Sequence, residues 1–336
     1  MTNWDKILGC AFGAMCGDAL GAPLEFKNYP FKQGGKIVPG MIREMLNGDA
    51  LDGRGNYTLK AGSFTDDSEM SLCIIDAYLK AKTVELKSSQ VIDEFLSWYN
   101  NGPEDVGIYT GTVLESFKSS KNWREAVMHA YYSNPIKSAA NGCVMRCWAT
   151  SVACAVRHDT VAKIKFFNDG VSQAVATHLN AYAIYGSVFV NLVHYFLFQG
   201  KQKKEAIFLA LNDPLLIDKL PADFAEQIAN VTKHPPTFQQ LVARNENTGW
   251  VVHTVLNAVA AFLATNTLED AIVYAANLGQ DADTTASVAG GIAGAYYGYN
   301  NIPKRWLNKL NGKWPIKSGN NMSTKQLFAK MQDLKK

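Results

Sequence analysis

Two short segments combine neighbouring acidic residues with hydroxyl side chains just before an apolar stretch. They are TDDSE at residues 65–69 and DADT at residues 281–284. One aspartate or threonine is enough to cap a helix, because its oxygen accepts a hydrogen bond from the first-turn N–H groups. A second carboxylate beside it is repelled unless a cation is present. Carboxylate and hydroxyl oxygens suit Mg²⁺ or Mn²⁺, so the segments predict a metal site if the fold brings them together.

The same residues also fit an ordinary helix start. Acidic side chains are favoured in a first turn by the helix dipole, and Asp66 with Glu69 matches a simple capping arrangement. The two segments taken by themselves leave both interpretations open.

Helical periodicity dominates the rest of the chain, and alternation with a period of two is hard to find. Helices are predicted at residues 4–20, 66–82, 88–100, 144–157, 160–168, 177–198, 203–212, 250–264, 268–277 and 284–298. This pattern predicts an all-α protein. Long loops are predicted at residues 27–62, 100–111, 133–143 and 233–249, where glycine, proline and asparagine collect. The first loop, with Gly34, Gly35, Gly40 and Gly48, fits either a lid over a site or an inert excursion.

Small residues recur every four positions in the first and last of these helices. They are Gly9, Gly13 and Gly17, and Ala286, Gly290, Gly294 and Gly298. Glycine inside a helix costs about 1 kcal/mol relative to alanine, so the spacing predicts close backbone approach to a neighbouring helix. The pattern is explained equally well by tight helix packing alone and by a rigid support for a functional site.

Composition limits the class of protein. A chain of 336 residues with a formal charge of +3 predicts one large domain, residues 1–336, with a basic C-terminal extension at about 315–336, and no nucleic-acid partner. The six cysteines lack paired CxxC motifs and predict buried thiols in a reducing compartment. The N-terminus has no basic region before its apolar stretch, and the apolar run from residue 183 is short for a bilayer. We therefore expect a cytoplasmic protein without a membrane partner.

Five ordered blocks resemble a known family. They are GCAFGAMCGDALGAPLEF (9–26), GSFTDDSEMSL (62–72), NGCVMR (141–146), ATHLNAYAIYGS (176–187) and LGQDADTTASVAGGIAGAYYG (278–298). In this order they resemble the motifs of the ADP-ribosylglycohydrolase family. The resemblance implies a compact single domain of orthogonal helices with two divalent cations, Mg²⁺ or Mn²⁺. It also implies hydrolysis of the bond between ADP-ribose and a modified protein side chain, with ADP-ribose as the product.

The resemblance carries specific residues over to this chain. The metal ligands that it implies are Thr65, Asp66, Asp67, Asp281, Asp283 and Thr284. Glu25 falls on the family's acidic residue at the mouth of the cleft. Asn141 and Gly142 match the loop along ADP-ribose, and His178 matches a histidine near the diphosphate.

Cleavage at the anomeric carbon passes through a transition state with oxocarbenium character. Such a site needs negative charge, an activated water and a route for protons. We expect Glu25, Asp66 and Asp283 to form the catalytic set, with Glu25 as acid or base because it lies outside both ligand segments.

Several residues keep two interpretations. Arg146 fits a phosphate clamp or a structural ion pair, and Tyr109 and Trp148 fit adenine stacking or the core. Among the departures from the family pattern, Ser68 stands where threonine is more common, and Gln280 stands where glycine usually precedes the second acidic segment.

Three functions fit these residues. The first is removal of mono-ADP-ribose from protein, with arginine as the favoured linkage. The second is the same chemistry on a serine-linked or other ADP-ribose or nucleoside glycoside. The third is a silent binder of ADP-ribose, which the intact acidic residues disfavour.

Overall fold

The computed structural model describes residues 4–33, 36–50, 57–81, 85–157, 162–312, 314 and 322–335. Sixteen α-helices lie within these residues, which confirms the predicted all-α class. They are α1 Trp4–Gly21, α2 Asp66–Lys80, α3 Ser88–Asn100, α4 Ile108–Ser120, α5 Trp123–Ser133, α6 Trp148–Arg157, α7 Lys163–Val175, α8 Ala181–Phe198, α9 Lys203–Leu211, α10 Ala222–Lys233, α11 Phe238–Arg244, α12 Val251–Ala264, α13 Leu268–Ala276, α14 Ala282–Tyr297, α15 Lys304–Lys309 and α16 Thr324–Asp333. Two antiparallel hairpins complete the regular structure: β1 Lys32–Gln33 with β2 Lys36–Ile37, and β3 Gly48–Ala50 with β4 Tyr57–Leu59.

The hairpins and several helices were not predicted from the sequence. Both hairpins lie in the predicted loop 27–62, and α11 lies in the predicted loop 233–249. Strands of two or three residues are too short to show a period, and α11 has seven residues. Helices α4, α5, α10, α15 and α16 also went unpredicted. Each has a large exposed face, so fewer apolar positions mark its period.

Parts of several predicted segments lie outside the described residues. They are Gly34, Gly35 and residues 51–56 of the predicted loop 27–62, residue 82 of the helix predicted at 66–82, residues 160–161 of the helix predicted at 160–168, and residues 315–321 and 336 of the predicted basic extension. Helix α16, at the end of that extension, packs on the core through Leu327 and Met331, which are fully buried.

Helices α1 and α14 lie in backbone contact at the centre of the fold. A Cβ added to Gly13 would lie 2.3 Å from the carbonyl oxygen of Gly290, and one on Gly17 would lie 2.0 Å from that of Ala286. Because real Cβ atoms do not approach so closely, only glycine fits these positions. The prediction of close approach from the four-residue spacing is confirmed. The contact continues to Gly21, whose Cβ would lie 2.5 Å from the Cα of Asp283 in the first turn of α14.

Two apolar stretches, residues 4–24 and α8, are long and hydrophobic enough to cross a membrane by length and composition. Residues 7–24 of the first stretch are all buried inside the protein, as are 72% of the residues of α8. The apolar surface of both is thus used in packing against other helices. The six cysteines are free thiols in the same interior, as the sequence predicts.

Candidate active site

The first turns of α2 and α14 meet beside the C-terminal end of α1. Carboxylate oxygens of Asp18, Asp67 and Asp283 lie within 4.8 Å of one another, and those of Glu25, Asp281 and Asp283 form a second such group. Asp283 belongs to both groups, so the two acidic segments of the sequence face a common centre. The condition that the sequence left open, that the fold brings the two segments together, is met.

Asp67 is the least compensated of these carboxylates. Its side chain is 1% exposed, and neither of its oxygens accepts a hydrogen bond from any described residue. Burial, followed by the charges of Asp283 and Asp18, raises the pKa of Asp67 well above its usual range. A buried carboxylate without a partner is stabilised only by a proton or a cation. With carboxylate and hydroxyl oxygens as donors, the residues present fit a hard divalent cation.

The other predicted ligands differ in their surroundings. Asp66 lies outside both three-carboxylate groups, and its Oδ2 accepts a hydrogen bond from the Gly107 backbone N–H at 3.1 Å. Thr65 and Thr284 are each 6% exposed at the starts of α2 and α14. The backbone N–H of Thr284 donates to Asp283 Oδ1 at 2.8 Å, which fixes one oxygen of the shared carboxylate.

Glu25 is partly exposed at the edge of the acidic centre. The sequence placed it outside both ligand segments, but its carboxylate lies within 4.8 Å of those of Asp281 and Asp283. Burial and then the charges of Asp283 and Asp281 raise the pKa of Glu25 to about 12. The protein alone therefore holds a proton on Glu25 at neutral pH. Position along the chain was a poor guide here, because the short 3₁₀ turn Ala22–Leu24 that follows α1 packs against α14 and carries Glu25 to it.

Two residues with left-handed backbone flank the centre. Phe26 has φ 56° and Gln280 has φ 54°, in a backbone region that residues other than glycine rarely adopt. The Phe26 N–H donates to the Gln280 carbonyl at 2.7 Å, and the Gln280 N–H donates to the Lys27 carbonyl at 2.8 Å. These bonds hold the strained backbone. Glycine would adopt the conformation of Gln280 without this cost.

Asn141 joins the predicted ADP-ribose loop to the second acidic segment. Its Nδ2 donates to Asp281 Oδ2 at 2.8 Å and to Thr254 Oγ1 at 2.9 Å, and its backbone N–H donates to the Gly249 carbonyl at 2.9 Å. Asn141 thereby orients one of the carboxylates of the centre.

His178 lies beneath Gly142. The histidine is fully buried, with Nδ1 at 2.7 Å from Thr177 Oγ1 and with Nε2 lacking a partner among the described residues. A Cβ on Gly142 would lie 3.5 Å from Nε2, so the small residue leaves room above the ring. Burial and the nearby charge of Arg146 lower the pKa of His178 well below its usual range, which makes the imidazole neutral.

The surroundings of Arg146 match neither the phosphate clamp nor the structural ion pair that the sequence suggested. It is fully buried and donates to Gln173 Oε1 at 3.0 Å and Thr177 Oγ1 at 2.7 Å, with its guanidinium over the Phe95 ring. No carboxylate of the described residues forms an ion pair with it. Trp148 is also core, being 2% exposed.

Two residues at the centre were missed from the sequence. Asp18 on α1 joins the carboxylate group described above, and Asn247 donates from Nδ2 to the carbonyls of Gly279 and Asp281 at 2.6 and 3.1 Å. Asn247 lies in a predicted loop that carried no motif. Asp18 did carry a recognisable feature, because after the first turn it is the one charged residue in a helix that is otherwise small and apolar.

The sequence model of the ADP-ribosylglycohydrolase family matches residues 2–334. The chain is 28% identical over 314 residues to the ADP-ribosylarginine hydrolase Tri1 of Serratia proteamaculans, covering 91% of this chain and 75% of that protein. It is 27% identical over 312 residues to the ADP-ribosyl-[dinitrogen reductase] glycohydrolase of Rhodospirillum rubrum, covering 92% and 91%. A solved ADP-ribosylglycohydrolase-related protein complex superposes with a TM-score of 0.72 at 26% identity, covering 98% of this chain and 97% of that one.

An all-α fold with a buried acidic centre, matched along nearly its whole length, defines a glycosidase of one class. The chain belongs to the ADP-ribosylglycohydrolase family, as the five sequence blocks indicated. It is an ADP-ribosyl hydrolase.

Proposed function

We propose that the protein is a divalent-metal-dependent hydrolase that removes mono-ADP-ribose from arginine side chains of modified proteins by cleaving the N-glycosidic bond. The observation that carries the metal dependence is Asp67, a buried carboxylate with no hydrogen-bond partner in a group of carboxylates that share Asp283. Arginine is favoured because two of the similar proteins are named for ADP-ribosylarginine hydrolysis, in Serratia proteamaculans and Pseudomonas putida.

Two cations, Mg²⁺ or Mn²⁺, would be held by the oxygens of the two first turns. The proposed ligands are Thr65, Asp66, Asp67, Asp281, Asp283 and Thr284. When bound, the cations supply positive charge that orients ribose hydroxyls and lowers the pKa of water.

The protein side chains supply the rest of the chemistry. The carboxylates of Asp66 and Asp283 provide negative charge beside the anomeric carbon as positive charge develops there. Glu25, whose carboxyl lies within 4.8 Å of those of Asp281 and Asp283, transfers a proton between water and the departing guanidine. Asn141 holds Asp281 in place through its 2.8 Å hydrogen bond. Asn141, Gly142 and His178 are proposed to contact ADP-ribose, with the neutral His178 offering a hydrogen bond to the diphosphate.

The reaction is tested with an arginine-ADP-ribosylated protein, with measurement of free ADP-ribose in Mg²⁺, in Mn²⁺ and in chelator. We expect release that the chelator abolishes. Release from a serine-linked substrate but not from the arginine-linked one would contradict the proposed linkage. Binding of ADP-ribose without release from either substrate would contradict hydrolysis itself.

The role of Glu25 is tested with Glu25→Gln, which keeps the size of the side chain. We expect the variant to bind Mn²⁺ and to lose turnover by about 10²-fold or more, since acid–base catalysis contributes on that order. Glu226→Gln on the exposed face of α10 is the matched control and should behave like the native protein. Equal loss of Mn²⁺ binding and turnover in Glu25→Gln would show that Glu25 is a ligand rather than the proton donor.

A further inference from the structure

We propose that Asp18 is a positioning residue: it caps α2 from the neighbouring helix α1 and holds the hydroxyl of Thr65 in the orientation that metal binding requires. This inference rests on the proposed metal dependence. It assigns a role to a fully buried carboxylate that lies within 4.8 Å of those of Asp67 and Asp283 but is not among the six metal ligands proposed above.

Asp18 accepts hydrogen bonds from two residues of the first turn of α2. Its Oδ1 accepts from the Thr65 backbone N–H at 3.0 Å and from Thr65 Oγ1 at 2.9 Å. Its Oδ2 accepts from the Ser68 backbone N–H at 3.0 Å and from Ser68 Oγ at 2.6 Å, with the Thr65 N–H also at 3.2 Å. Ser68, which replaces the more common threonine, keeps the hydroxyl that this arrangement uses.

These contacts leave Asp18 no capacity to bind a cation. A carboxylate offers about four lone-pair positions, and four donor groups already occupy them. Asp67 shows the opposite condition, because both of its oxygens lack a donor. Although the two carboxylates lie within 4.8 Å of each other, only Asp67 is free to serve as a ligand.

The hydrogen bonds also change what Thr65 can do. Thr65 is the N-cap residue of α2, yet its side chain makes no capping hydrogen bond. Its hydroxyl proton is instead donated to Asp18, and the Ser68 N–H that a threonine oxygen would ordinarily cap is satisfied by Asp18. The lone pairs of Thr65 Oγ1 therefore remain available for another acceptor role. Asp18 therefore caps α2 in place of the Thr65 side chain.

The helix pair fixes Asp18 in position. Its neighbour Gly17 touches the Ala286 backbone, and Gly21, one turn later, touches the first turn of α14. The backbone of α1 cannot shift here without displacing α14. Asp18 thus links the start of α2 to a rigid two-helix unit that also carries Asp283.

The test is the Mn²⁺ dissociation constant, measured by calorimetry on folded protein. Loss of a group that orients a metal ligand typically weakens metal binding 10–100-fold, and we expect about this increase in Kd for Asp18→Asn. The matched control is Asp169→Asn, another buried aspartate, which accepts from Tyr78 on a different part of the fold. We expect Asp169→Asn to lower stability in chelator while leaving the Kd unchanged.

A double-mutant cycle with Thr65→Val separates positioning from direct binding. If Asp18 acts through Thr65, Asp18→Asn has a much smaller effect on Kd in the Thr65→Val background. Fully multiplicative effects would overturn the proposal and make Asp18 an independent ligand. An unchanged Kd in Asp18→Asn would reduce its role to stability alone.

The milder Ser68→Ala keeps the proposal testable if Asp18→Asn does not fold. It removes one donor to Asp18, and we expect a rise in Kd of about 3-fold or more, below the 10–100-fold range for loss of the positioning group itself. A native Kd in Ser68→Ala would then count against the proposal. If the native protein itself binds no Mn²⁺, the proposed metal dependence fails, which is a separate outcome from native binding that Asp18→Asn leaves intact.

Discussion

Replacing Asp67 by asparagine should stabilise the protein in chelator and abolish its stabilisation by metal. Asp67 is 1% exposed and its oxygens have no donor among the described residues. Burial, followed by the charges of Asp283 and Asp18, raises its pKa. Asparagine removes the negative charge while keeping nearly the same shape, and its amide adds a donor among acceptors. Removing an uncompensated buried polar group relieves a cost of about 1–3 kcal/mol.

The expected shift in melting temperature follows from the size of the chain. At about 2.1 cal/mol/K per residue, 336 residues give an unfolding entropy of about 0.7 kcal/mol/K. A gain of about 1–3 kcal/mol then raises Tm by about 1.5–4 °C in chelator. Mn²⁺ at 100 times its Kd stabilises the native protein by about 2.7 kcal/mol, or about 4 °C, and this shift should vanish in the variant.

Thermal unfolding at pH 8, in EDTA and in Mn²⁺, measures both effects. Asp213→Asn is the matched control, because Asp213 is equally buried but accepts from the Leu215 N–H and pairs with Lys163 at 2.7 Å. It should melt lower than the native protein in both buffers and keep the Mn²⁺ shift. If Asp67→Asn behaves like Asp213→Asn, the reasoning that Asp67 is held in place for a cation is wrong.

Three further predictions concern the helix contact, the strained turn and pH. Gly17→Ala should lower the free energy of unfolding, measured by chemical denaturation, by about 2 kcal/mol or more, because its Cβ would lie 2.0 Å from the Ala286 carbonyl oxygen. The control Gly111→Ala in α4, where the nearest atoms are at 3.8 Å, should raise the same free energy by about 0.5–1 kcal/mol. Gln280→Gly should raise it by about 1 kcal/mol, because φ 54° costs about that for a residue with a side chain; a loss in denaturant titration would contradict this. Because the folded-state pKa values of Glu25 and Asp283 are raised, their contribution to stability in chelator is fully present below the unfolded pKa values near 4 and is lost as pH rises through the folded values. The Mn²⁺ shift in Tm should therefore grow from pH 6 to pH 8.5, and a shift that shrinks over this range would refute the assignment.

The positions of the long buried helices could be predicted because their periodicity is strong. Helices α1, α8, α12 and α14 bury most of their surface, and the sequence marks each of them. Helices α4 and α5 expose more polar surface and were not predicted, although they pack against each other. The hairpins could not be predicted, because two or three residues carry no measurable alternation.

The candidate site divides in the same way. The types and spacing in TDDSE and DADT predict where acidic groups cluster along the chain, and the structure shows that the clusters meet. Asp18 and Asn247 could not be placed, since their roles are hydrogen bonds to segments 47 and 34 residues away in sequence. Glu25 was assigned to a position outside the ligand groups, and only the turn after α1 brings it within 4.8 Å of Asp283.

The sequence by itself determined the all-α class and the close approach of two helices, because helical periodicity and glycine at four-residue spacing are local patterns, and its five motif blocks indicated the family. The tertiary structure decided which carboxylates share a centre and which are already satisfied. That distinction between Asp18, with four donor groups, and Asp67, with none, is a matter of hydrogen-bond geometry across helices. Both are buried aspartates in motif segments, and residue type alone does not separate a ligand from the group that positions it.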